Sequence, residues 1–403
     1  QEGTEHRPPN PLGVGPIDQY LPPHAVKVRL RAFPGGPASR TEVVVRDVHA
    51  FERQPIDELY RWFASEAEPT SPTWARLCRW IAVHPEVNAR LDALPGVKRQ
   101  PNVFLAALKY LGGPFEPGPG FAAWVDARWP ELERVILARA TQTNEPGRCA
   151  VFAPVLASLP QPITLLEIGS SAGLCLLPDR YRYAYAPIDR SPDAAGPVGA
   201  ESQDVVGTRQ ITRPSAAGPD APLLECRVTG TPPGDPAGLV VAARCGLDLR
   251  PLDPGDADDA RWLRALVWPG EDAREVRLAS CLALAASDPP PILTGDVRDG
   301  LGVLLERVAS GRTPVLQHSA VLSYLTRTDR DAVERAIRAS QEAGSGLRWL
   351  SYEGPSVVTS VKDRLADRDA WAERPNFVVA LDGEPIARAS AHGGWVEWYP
   401  CAD

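Results

Sequence analysis

Hydrophobic and polar positions change pattern abruptly between Ile163 and Leu177. The segment reads ITLLEIGSSAGLCLL: an apolar run ends at Glu167, a short loop of Gly, Ser and Ala follows, and a second apolar run then begins. This order predicts a strand, a sharp turn and the start of a helix. In doubly wound α/β folds such a junction forms a ligand crevice, because N–H groups at the helix N-terminus point into it. A strand, turn and helix without a ligand is the alternative.

Strand and helix patterns alternate after residue 160, which predicts a mostly parallel sheet covered by helices. The predicted strands are ITLLEI, YAYAPID, LVVAA, PILTGD, TPVLQHS, LRWLSYE, NFVVALD and WVEWY, and the predicted helices include LCLLPDRY, DDARWLRALVW, DAREVRLASCLALAAS, LGVLLERVA and DRDAVERAIRAS. A Gly-containing turn region joins the last two strands, which are therefore expected to form an antiparallel pair. A parallel sheet that ends in such a pair, preceded by a Glu-x-Gly-x-x-x-Gly loop, is typical of class I methyltransferases rather than nicotinamide enzymes.

Residues 55 to 160 carry helical periodicity instead. One helix is predicted from four apolar residues at helical spacing, Trp74, Leu77, Cys78 and Ile81. PNVFLAALKYLGG reads as a helix closed by glycines, and Pro130 with the acids after it predicts a helix start that runs toward Thr141.

Three regions follow from these patterns. They are an N-terminal arm (1–54), a helical cap region (55–160) and a Rossmann-like, methyltransferase-type α/β domain (161–403) with an insertion at about 190–240, where Pro, Gly, Ser and Asp accumulate. In the arm, VKVRLRAF and RTEVVVRDV alternate with period two and can pair as a β-hairpin. The arm is either an extension packed on the body or a partner-binding or lid element.

Composition narrows the function class. The chain has 403 residues with 44% hydrophobic and 23% charged positions, which supports a large core, and its net charge of −8 disfavours nucleic acid. No apolar run is long enough for a membrane span and no signal pattern opens the chain, so a soluble cytoplasmic protein is expected. Seven cysteines without a C-x-x-C pair and six histidines without an H-x-x-x-H pair predict buried thiols and no metal site.

Five polar residues follow predicted strands: Glu167, Asp189, Asp296, His318 and Glu353. Carboxyl ends of parallel strands meet at one edge of a sheet, so these side chains are expected to converge there. Asp189 either bonds ribose hydroxyls, as an acid about twenty residues past the glycine loop does in dinucleotide sites, or is a solvated loop residue. Asp296 either faces an adenine amine or caps the next helix. His318 is a candidate general base near neutral pH, with Glu353 as its neighbour.

A second polar cluster, TQTNEPGRC, separates two predicted helices. It either stops one helix and caps the next, or lines a cleft through Gln142, Asn144, Glu145 and Arg148. Arg148 suits a carboxylate or sulfate ligand, because a guanidinium binds such anions with two N–H groups.

Two further pairs are candidates for substrate binding. Arg244 and Asp248 either hold a zwitterionic substrate or pair to brace a loop. Backbone N–H groups near Ser170 and Ser171 are candidates to receive an anion.

A series of motifs then identifies a resemblance. TQTNEPGRC, LLEIGSSAGL with DRYRY, GLDLRPLD with RWLRALVWP, HSAVLSYL and the ALDGEPIA…HGGWVEW ending resemble the DUF2332 family of actinobacterial-type proteins over roughly residues 56 to 400. The resemblance implies a class I methyltransferase-like fold with an N-terminal helical region. Some relatives are associated with aziridine ring closure in pathways to azabicyclic amino-acid antibiotics. There, an amine displaces a neighbouring leaving group such as sulfate, and a small companion subunit takes part.

The resemblance gives the candidate residues roles in such a reaction. Glu145, His318 or Glu353 would accept the ammonium proton, and Arg148 or Arg244 would receive the departing anion with the loop N–H groups near Ser170. The substrate would be an amino-acid-like small molecule, and no cofactor would be needed.

Two alternatives stay open. In an S-adenosylmethionine-dependent methyltransferase, the donor would be held by Glu167, Gly169, Gly173, Asp189 and Asp296. The middle position of the donor loop usually carries Gly, whereas here it is Ser171, and the family often has Asn where this chain has Cys175. A side chain at Ser171 crowds the close backbone approach that Gly permits. The other alternative is a non-catalytic scaffold subunit.

Overall fold

The computed structural model describes residues 54–142, 144–188, 209–308, 311–365 and 376–400. Residues 1–53 of the predicted arm, with its hairpin, lie outside the described residues, and so do Asp189 and residues 190–208 of the predicted insertion. Within the described residues, helices prevail up to residue 157, and strands alternate with helices after it, as the periodicity predicts.

Five α-helices lie between residues 54 and 142: α1 (Ile56–Ala67), α2 (Pro72–Ala82), α3 (Pro85–Asp92), α4 (Pro101–Tyr110) and α5 (Pro119–Ala138). The four apolar residues predicted to share one helix lie in α2 and are at most 1% exposed. The Ser71 hydroxyl caps α2 by accepting the Trp74 N–H, which satisfies one of the free donors of the first turn.

The helix start predicted at Pro130 is wrong. Pro130 lies inside α5, which begins at Pro119 and ends at Ala138 rather than near Thr141. A proline in a helix interior removes one backbone hydrogen bond. Buried residues on both sides, Val125 before it and Leu132 after it, anchor the two halves in the core and keep the helix continuous.

Eleven strands form one sheet in the described part of the chain, in the order β3-β2-β4-β11-β10-β9-β8-β7-β1-β5-β6. Their bounds are β1 (Ile163–Ile168), β2 (Arg182–Pro187), β3 (Gln210–Thr212), β4 (Leu223–Thr229), β5 (Val241–Asp248), β6 (Ile292–Thr294), β7 (Thr313–Ser319), β8 (Arg348–Glu353), β9 (Phe377–Leu381), β10 (Glu384–Ala389) and β11 (Trp395–Trp398). The central strands β6, β5, β1, β7 and β8 are all parallel. The mostly parallel α/β sheet is therefore confirmed.

The arrangement around β1 creates a topological switch point. The chain places β5 and then β6 on one side of β1, and β7 and then β8 on the other side. In open α/β sheets, a crevice forms outside the carboxyl ends of the strands where the order reverses in this way. A ligand site is therefore expected at the junction of β1 and β7.

The antiparallel pair predicted between the last two strands is wrong. A strand that the pattern did not reveal, β10, lies between β9 and β11 and pairs antiparallel with both. Asp382 and Gly383 form the turn from β9 to β10 with φ of 55° and 78°, the left-handed conformation that a two-residue hairpin turn needs. Pro385 disguised this strand, because proline seldom occurs in a sheet interior.

Six α-helices accompany the sheet in the described residues: α6 (Cys149–Ala157), α7 (Ala257–Ala265), α8 (Asp272–Ser287), α9 (Val297–Leu305), α10 (Arg327–Glu342) and α11 (Thr359–Leu365). The helix predicted for LCLLPDRY is wrong, because this segment forms only two 3₁₀ turns, Leu174–Leu176 and Pro178–Arg180. Pro178 lacks the N–H that would continue the first turn. The glycine loop thus does not open an α-helix.

Each face of the sheet is covered by its own apolar core. Leu165 of β1 and Val315 of β7 pack in the core that includes the N-terminal helices, and Leu166 and Leu316 pack in the core on the opposite face, with α9 and α10. The alternation follows from the period-two geometry of strands. None of the helices in the described residues is long and apolar enough to cross a membrane.

Candidate functional site

Backbone strain marks the carboxyl ends of the two central strands. Ser171, in the loop after β1, and Ala320, directly after β7, each have φ of 51°. This left-handed conformation costs roughly 1 kcal/mol or more for a residue with a side chain. Such strain persists where the surrounding structure enforces it, and it clusters at functional sites.

Four buried oxygens near these two loops have no hydrogen-bond partner, and three of them belong to β1, β7 and the loop after β1. Glu167 and Gln317 lie side by side in the β1–β7 register, and the Gln317 amide donates to Glu167 Oε1 at 3.3 Å and to the Cys175 carbonyl at 2.7 Å. The remaining oxygens, Glu167 Oε2, Gln317 Oε1 and Ser171 Oγ, are unpaired. We call Glu167, Ser171 and Gln317 the strand-end cluster. Unpaired buried acceptors call for a ligand or water that donates hydrogen bonds.

The carboxyl group of Glu167 has a strongly altered acidity. Burial raises its pKa well above the usual range and the neighbouring Cys175 adds to the effect, whereas the Gln317 amide and the charge of Arg148 oppose it. Because desolvation disfavours the charged form, Glu167 holds a proton more tightly than an exposed glutamate. A buried carboxyl of raised pKa at a strand end is a candidate proton-transfer group.

Four N–H groups of the glycine loop, those of Gly169, Ser170, Ser171 and Gly173, are bonded within the protein. Those of Gly169 and Ser170 donate to the Leu247 carbonyl, and that of Ser171 donates to Asp248 Oδ2 at 2.8 Å. The structure therefore does not bring these N–H groups to the crevice as anion donors.

Protein side chains also approach the two glycines of the loop. A Cβ atom on Gly169 would lie 2.4 Å from Val321 Cγ2, and one on Gly173 would lie 2.3 Å from Pro290 Cγ. These glycines make room for neighbouring side chains of the protein itself.

Residues of the TQTNEPGRC segment fasten the same loop. Asn144 donates to the Ser170 carbonyl and accepts the Leu174 N–H, both at 3.0 Å. Gln142 donates to the Arg250 carbonyl at 2.7 Å, in the loop that follows β5. The segment thus lies at the carboxyl edge of the sheet, and these two amides hold the loops of that edge in place.

Arg244 and Asp248 do not pair with each other. Arg244 forms a bidentate ion pair with Asp179, with both N–O distances 2.8 Å, and donates to the Leu176 carbonyl. Asp248 accepts backbone N–H groups of Ser171 and Arg250. Both side chains therefore brace the loops around the crevice.

Of two further acids predicted at the same edge, one lies outside the described residues and the other serves as a helix cap. Asp189 is outside the described residues, and β2, which leads to it, is separated from β1 by the six strands β4, β11, β10, β9, β8 and β7. The acid at the end of the strand beside β1 is Asp248 instead. Asp296 caps α9 by accepting the Arg298 N–H at 2.9 Å, and it pairs with the Arg298 side chain.

His318 and Glu353 are neighbours, as predicted from adjacent strands. The distance from His318 Nδ1 to Glu353 Oε1 is 2.8 Å, and the Trp349 indole N–H lies 3.0 Å from His318 Nε2. Because an indole only donates, Nε2 must accept and Nδ1 must carry the proton. Glu353 Oε1 also accepts the N–H groups of Val321 and Leu322, and Glu353 Oε2 is unpaired. Both imidazole nitrogens of His318 are thus engaged inside the protein.

A group of arginines surrounds Glu145. Glu145 Oε2 binds Arg274 Nε at 2.6 Å, and Oε1 accepts the Gly147 N–H at 2.9 Å and faces Arg277 Nε at 3.4 Å. Burial acts to raise the pKa of Glu145, but Arg274 and Arg277 outweigh burial and lower it to about 2. Glu145 is therefore ionised at neutral pH and anchors the arginines.

His392 and Arg148 complete this group, which we call the arginine cluster (Glu145, Arg148, Arg274, Arg277 and His392). Arg148 is buried and donates to the carbonyls of Ala391 and Ser319 and to the Ser319 hydroxyl at 3.1 Å. His392 is half-buried, and its pKa is lowered well below the usual value by burial and by Arg274. The imidazole is therefore neutral at physiological pH.

Sequence reasoning missed Arg274, Arg277 and His392. The signal that was available is the pair of glycines in NEPGR and HGGW. A Cβ atom on Gly147 would lie 2.4 Å from the His392 carbonyl oxygen, and one on Gly393 would lie 2.1 Å from the Gly147 carbonyl oxygen. The two motifs carry glycine because their backbones touch, and that contact places His392 beside Glu145.

The comparisons with known proteins agree with the motifs. The sequence matches the family described as "Uncharacterized protein conserved in bacteria (DUF2332)" over residues 57–398. The chain belongs to the DUF2332 family. No curated protein and no solved structure matches this DUF2332 chain significantly. Within its described residues, no group of three or more His, Cys, Asp or Glu side chains is arranged to hold a metal ion.

Proposed function

We propose that this DUF2332 protein is a cytoplasmic small-molecule enzyme that closes a ring by intramolecular alkylation of an amine. The resemblance described above suggests the reaction class, in which an amine displaces a neighbouring leaving group such as sulfate and an aziridine forms. The proposed substrate is an amino-acid-like molecule of natural-product (antibiotic) biosynthesis, and a small companion subunit is part of the proposal. The six described cysteines are free thiols, which favours a reducing compartment.

One observation carries the proposal: the three unpaired oxygens of the strand-end cluster. An amine or ammonium group presents N–H donors and no competing acceptor when it is protonated. Glu167 Oε2, Gln317 Oε1 and Ser171 Oγ are buried and unpaired, and the proposed role of these oxygens is to accept N–H groups of the substrate amine. The cluster lies at the switch point of the sheet, between two strained loops, which is where α/β folds hold their ligands.

Glu167 is the proposed proton acceptor. A bound ammonium group favours the ionised carboxylate, and the raised pKa that burial gives Glu167 suits it to take a proton from an amine. Transfer of one proton to Glu167 releases the neutral amine. Glu145 and His318 then act as positioning residues, because their polar atoms are already bonded within the protein. Glu353 acts in the same way through Oε1, which holds His318 and the loop after β7, although its Oε2 is unpaired.

The ring-closing step follows from this proton transfer. The nitrogen lone pair forms the new C–N bond while the C–O bond to sulfate breaks from the opposite side. Sulfate leaves with the bonding electrons, and the nitrogen keeps its two remaining protons as a protonated aziridine. The buried cation Arg148, which lowers the pKa of Glu167 through its charge, stabilises the negative charge that develops on the leaving group.

The second candidate is an S-adenosylmethionine-dependent methyltransferase. The strand order β6-β5-β1-β7-β8 and the antiparallel neighbour β9 resemble the core of that class, and Asp248 lies where an acid would bind ribose hydroxyls. The bonded loop N–H groups, the contacts of Gly169 and Gly173 with protein side chains, and Ser171 at the usual Gly position all favour ring closure instead.

The test uses the full chain with 2-aminoethyl hydrogen sulfate and longer amino-acid-like β-amino sulfates, without added cofactor. Ion chromatography measures released sulfate, and mass spectrometry detects the aziridine. Ser171→Ala is the matched variant, because Ser171 Oγ makes no hydrogen bond within the protein. We expect its kcat/KM to fall about tenfold, the worth of one hydrogen bond to a charged group.

The control is Ser280→Ala on α8, whose hydroxyl bonds only the Val276 carbonyl at the exposed surface. It is expected to leave kcat/KM unchanged. Sulfate release with aziridine formation supports ring closure. Calorimetric binding of S-adenosylmethionine, with no sulfate released from any of the amino sulfates, overturns it in favour of the methyltransferase.

A further inference from the structure

The arginine cluster contains more positive charge than Glu145 and the adjacent Glu271 neutralise. Arg274 pairs with Glu145 and Glu271, and Arg277 pairs with Glu145 at 3.4 Å. Arg148 has no ion pair within the described residues and is bonded only to neutral oxygens. Three guanidinium groups therefore face two carboxylates. Burying an unbalanced charge is costly, and proteins keep such an arrangement where a ligand supplies the missing charge.

Donors in the cluster are left over after these contacts. Arg277 uses only Nε toward Glu145, so neither Nη1 nor Nη2 has a partner in the described part of the chain. Arg274 uses Nε and Nη1, which leaves Nη2. The Arg277 side chain is 18% exposed and that of Arg274 is 9% exposed. None of their free donors is among the fully buried unpaired atoms of the described residues.

His392 adds a neutral group to the same place. Its imidazole is half-buried and makes no hydrogen bond that the described residues show. A neutral imidazole offers one N–H donor and one acceptor. The contact between Gly147 and Gly393 fixes the turn that carries it beside the arginines.

We propose that Arg274, Arg277 and His392 form a binding site for a tetrahedral oxyanion such as sulfate or phosphate. The free guanidinium N–H groups donate to the anion oxygens, and the imidazole N–H adds a further donor. The charges of Arg274 and Arg277 are balanced by Glu145 and Glu271, so the net positive charge that attracts the anion is that of the adjacent Arg148. The biological meaning of this site rests on the proposed function. There, the site would bind the anionic group of the substrate or the departing sulfate.

The test measures binding rather than turnover, so it can fail independently of the proposed function. Thermal unfolding of the full protein is followed while sodium sulfate, sodium phosphate or sodium chloride is added at equal ionic strength. We expect a saturable rise in Tm with sulfate and phosphate but not with chloride. In Arg277→Gln, which keeps the Arg274–Glu145 ion pair, the apparent Kd is expected to be about tenfold weaker.

Arg76→Gln is the control, since Arg76 forms an exposed ion pair with Glu116. It should bind sulfate like the unchanged protein. If Arg277→Gln does not fold, histidine-selective nitrogen NMR of the unchanged protein replaces it: sulfate should shift the His392 ring signals, assigned with His392→Gln. The inference is overturned if Arg277→Gln responds like the unchanged protein, or if sulfate produces neither a saturable Tm rise nor a shift of His392.

Discussion

His318 donates its Nδ1 proton to Glu353 across 2.8 Å, and its other nitrogen accepts the indole N–H of Trp349. Glu353 also accepts two backbone N–H groups of the loop after β7. The three side chains thus tie β7 and β8 to the strained loop at Ala320. They form one hydrogen-bonded unit, and we expect its loss to disturb the loop at Ala320.

His318→Leu is therefore expected to lower the free energy of unfolding by about 2–4 kcal/mol. The apolar side chain leaves the buried Trp349 N–H unpaired and removes a partner of Glu353. Urea unfolding measures the loss. His84→Leu is the control, because His84 stacks on Trp80 with 4.1 Å between ring centroids rather than linking strands. Equal losses in both variants would show that the His318 network contributes nothing specific.

Gly147→Ala tests the contact between the two glycine-bearing motifs. The new Cβ atom would lie 2.4 Å from the His392 carbonyl oxygen, which is backbone and cannot rotate away. We expect a loss of about 3 kcal/mol or more. Gly302→Ala in α9 is the control, because nothing lies within 4 Å of its Cβ position, and alanine there should stabilise the helix by up to about 1 kcal/mol. A stable Gly147→Ala protein would contradict the contact.

Glu145 predicts how acid destabilises the protein. Its pKa falls from the usual 4.5 to about 2 in the folded state. The folded state thus binds its proton less tightly than the unfolded state, so the stabilisation is fully present above pH 4.5 and is lost as the pH falls toward 2. At about 1.4 kcal/mol per pH unit, it amounts to about 3 kcal/mol.

Glu145→Gln should therefore be less stable than the unchanged protein at pH 7, and the difference should shrink steadily below pH 4.5. Urea unfolding across this pH range gives the difference curve. A difference that does not depend on pH would show that the carboxylate gains nothing from Arg274 and Arg277.

The raised pKa of Glu167 predicts a pH dependence of stability with the opposite sign. Burial raises its pKa in the folded state, so the folded protein holds the proton that the unfolded chain releases above pH 4.5, and the group destabilises the fold increasingly as the pH rises. Glu167→Gln, which mimics the protonated carboxyl, is expected to raise Tm at pH 8 more than at pH 4. Glu116→Gln, at an exposed ion pair, should show no such trend. A Glu167→Gln protein that loses stability at pH 8 would contradict a raised pKa.

The sequence pattern predicted the centre of the sheet well and its far half poorly. β1 and β7 have the predicted bounds, because in each an apolar run is followed by polar residues near its end, Glu167 in β1 and Gln317 to Ser319 in β7. β10 was hidden by Pro385, and the helix expected after Gly173 failed because Pro178 interrupts it. Local propensity is overridden at such places by tertiary packing.

The candidate site was likewise predictable from the sequence only in part. Glu167, His318 and Glu353 all lie at the carboxyl edge of the sheet, as parallel strand ends predict, but their side chains do not converge. Strand alternation turns Glu167 toward the core of the N-terminal helices and His318, with Trp349 and Glu353, toward the opposite core. The contacts of Arg274 and Arg277 with Glu145 had no counterpart in the periodicity of the sequence. Glu145 and Arg274 are 129 residues apart in sequence, and no periodicity joins a loop to a helix at that distance. The unpaired oxygens of Gln317 and Ser171 are likewise visible only once the hydrogen bonds of their neighbours are known.

The charge of Arg148 acts on both the strand-end cluster and the arginine cluster. Its charge lowers the pKa of Glu167 on one side and that of His392 on the other. An anion that partly neutralises Arg148 therefore makes Glu167 harder to ionise, and a cation at Glu167 strengthens the pull on the anion in return. By linkage, each ligand must change the affinity for the other by the same factor, so a molecule that carries both charges is bound more tightly than its separate parts would suggest.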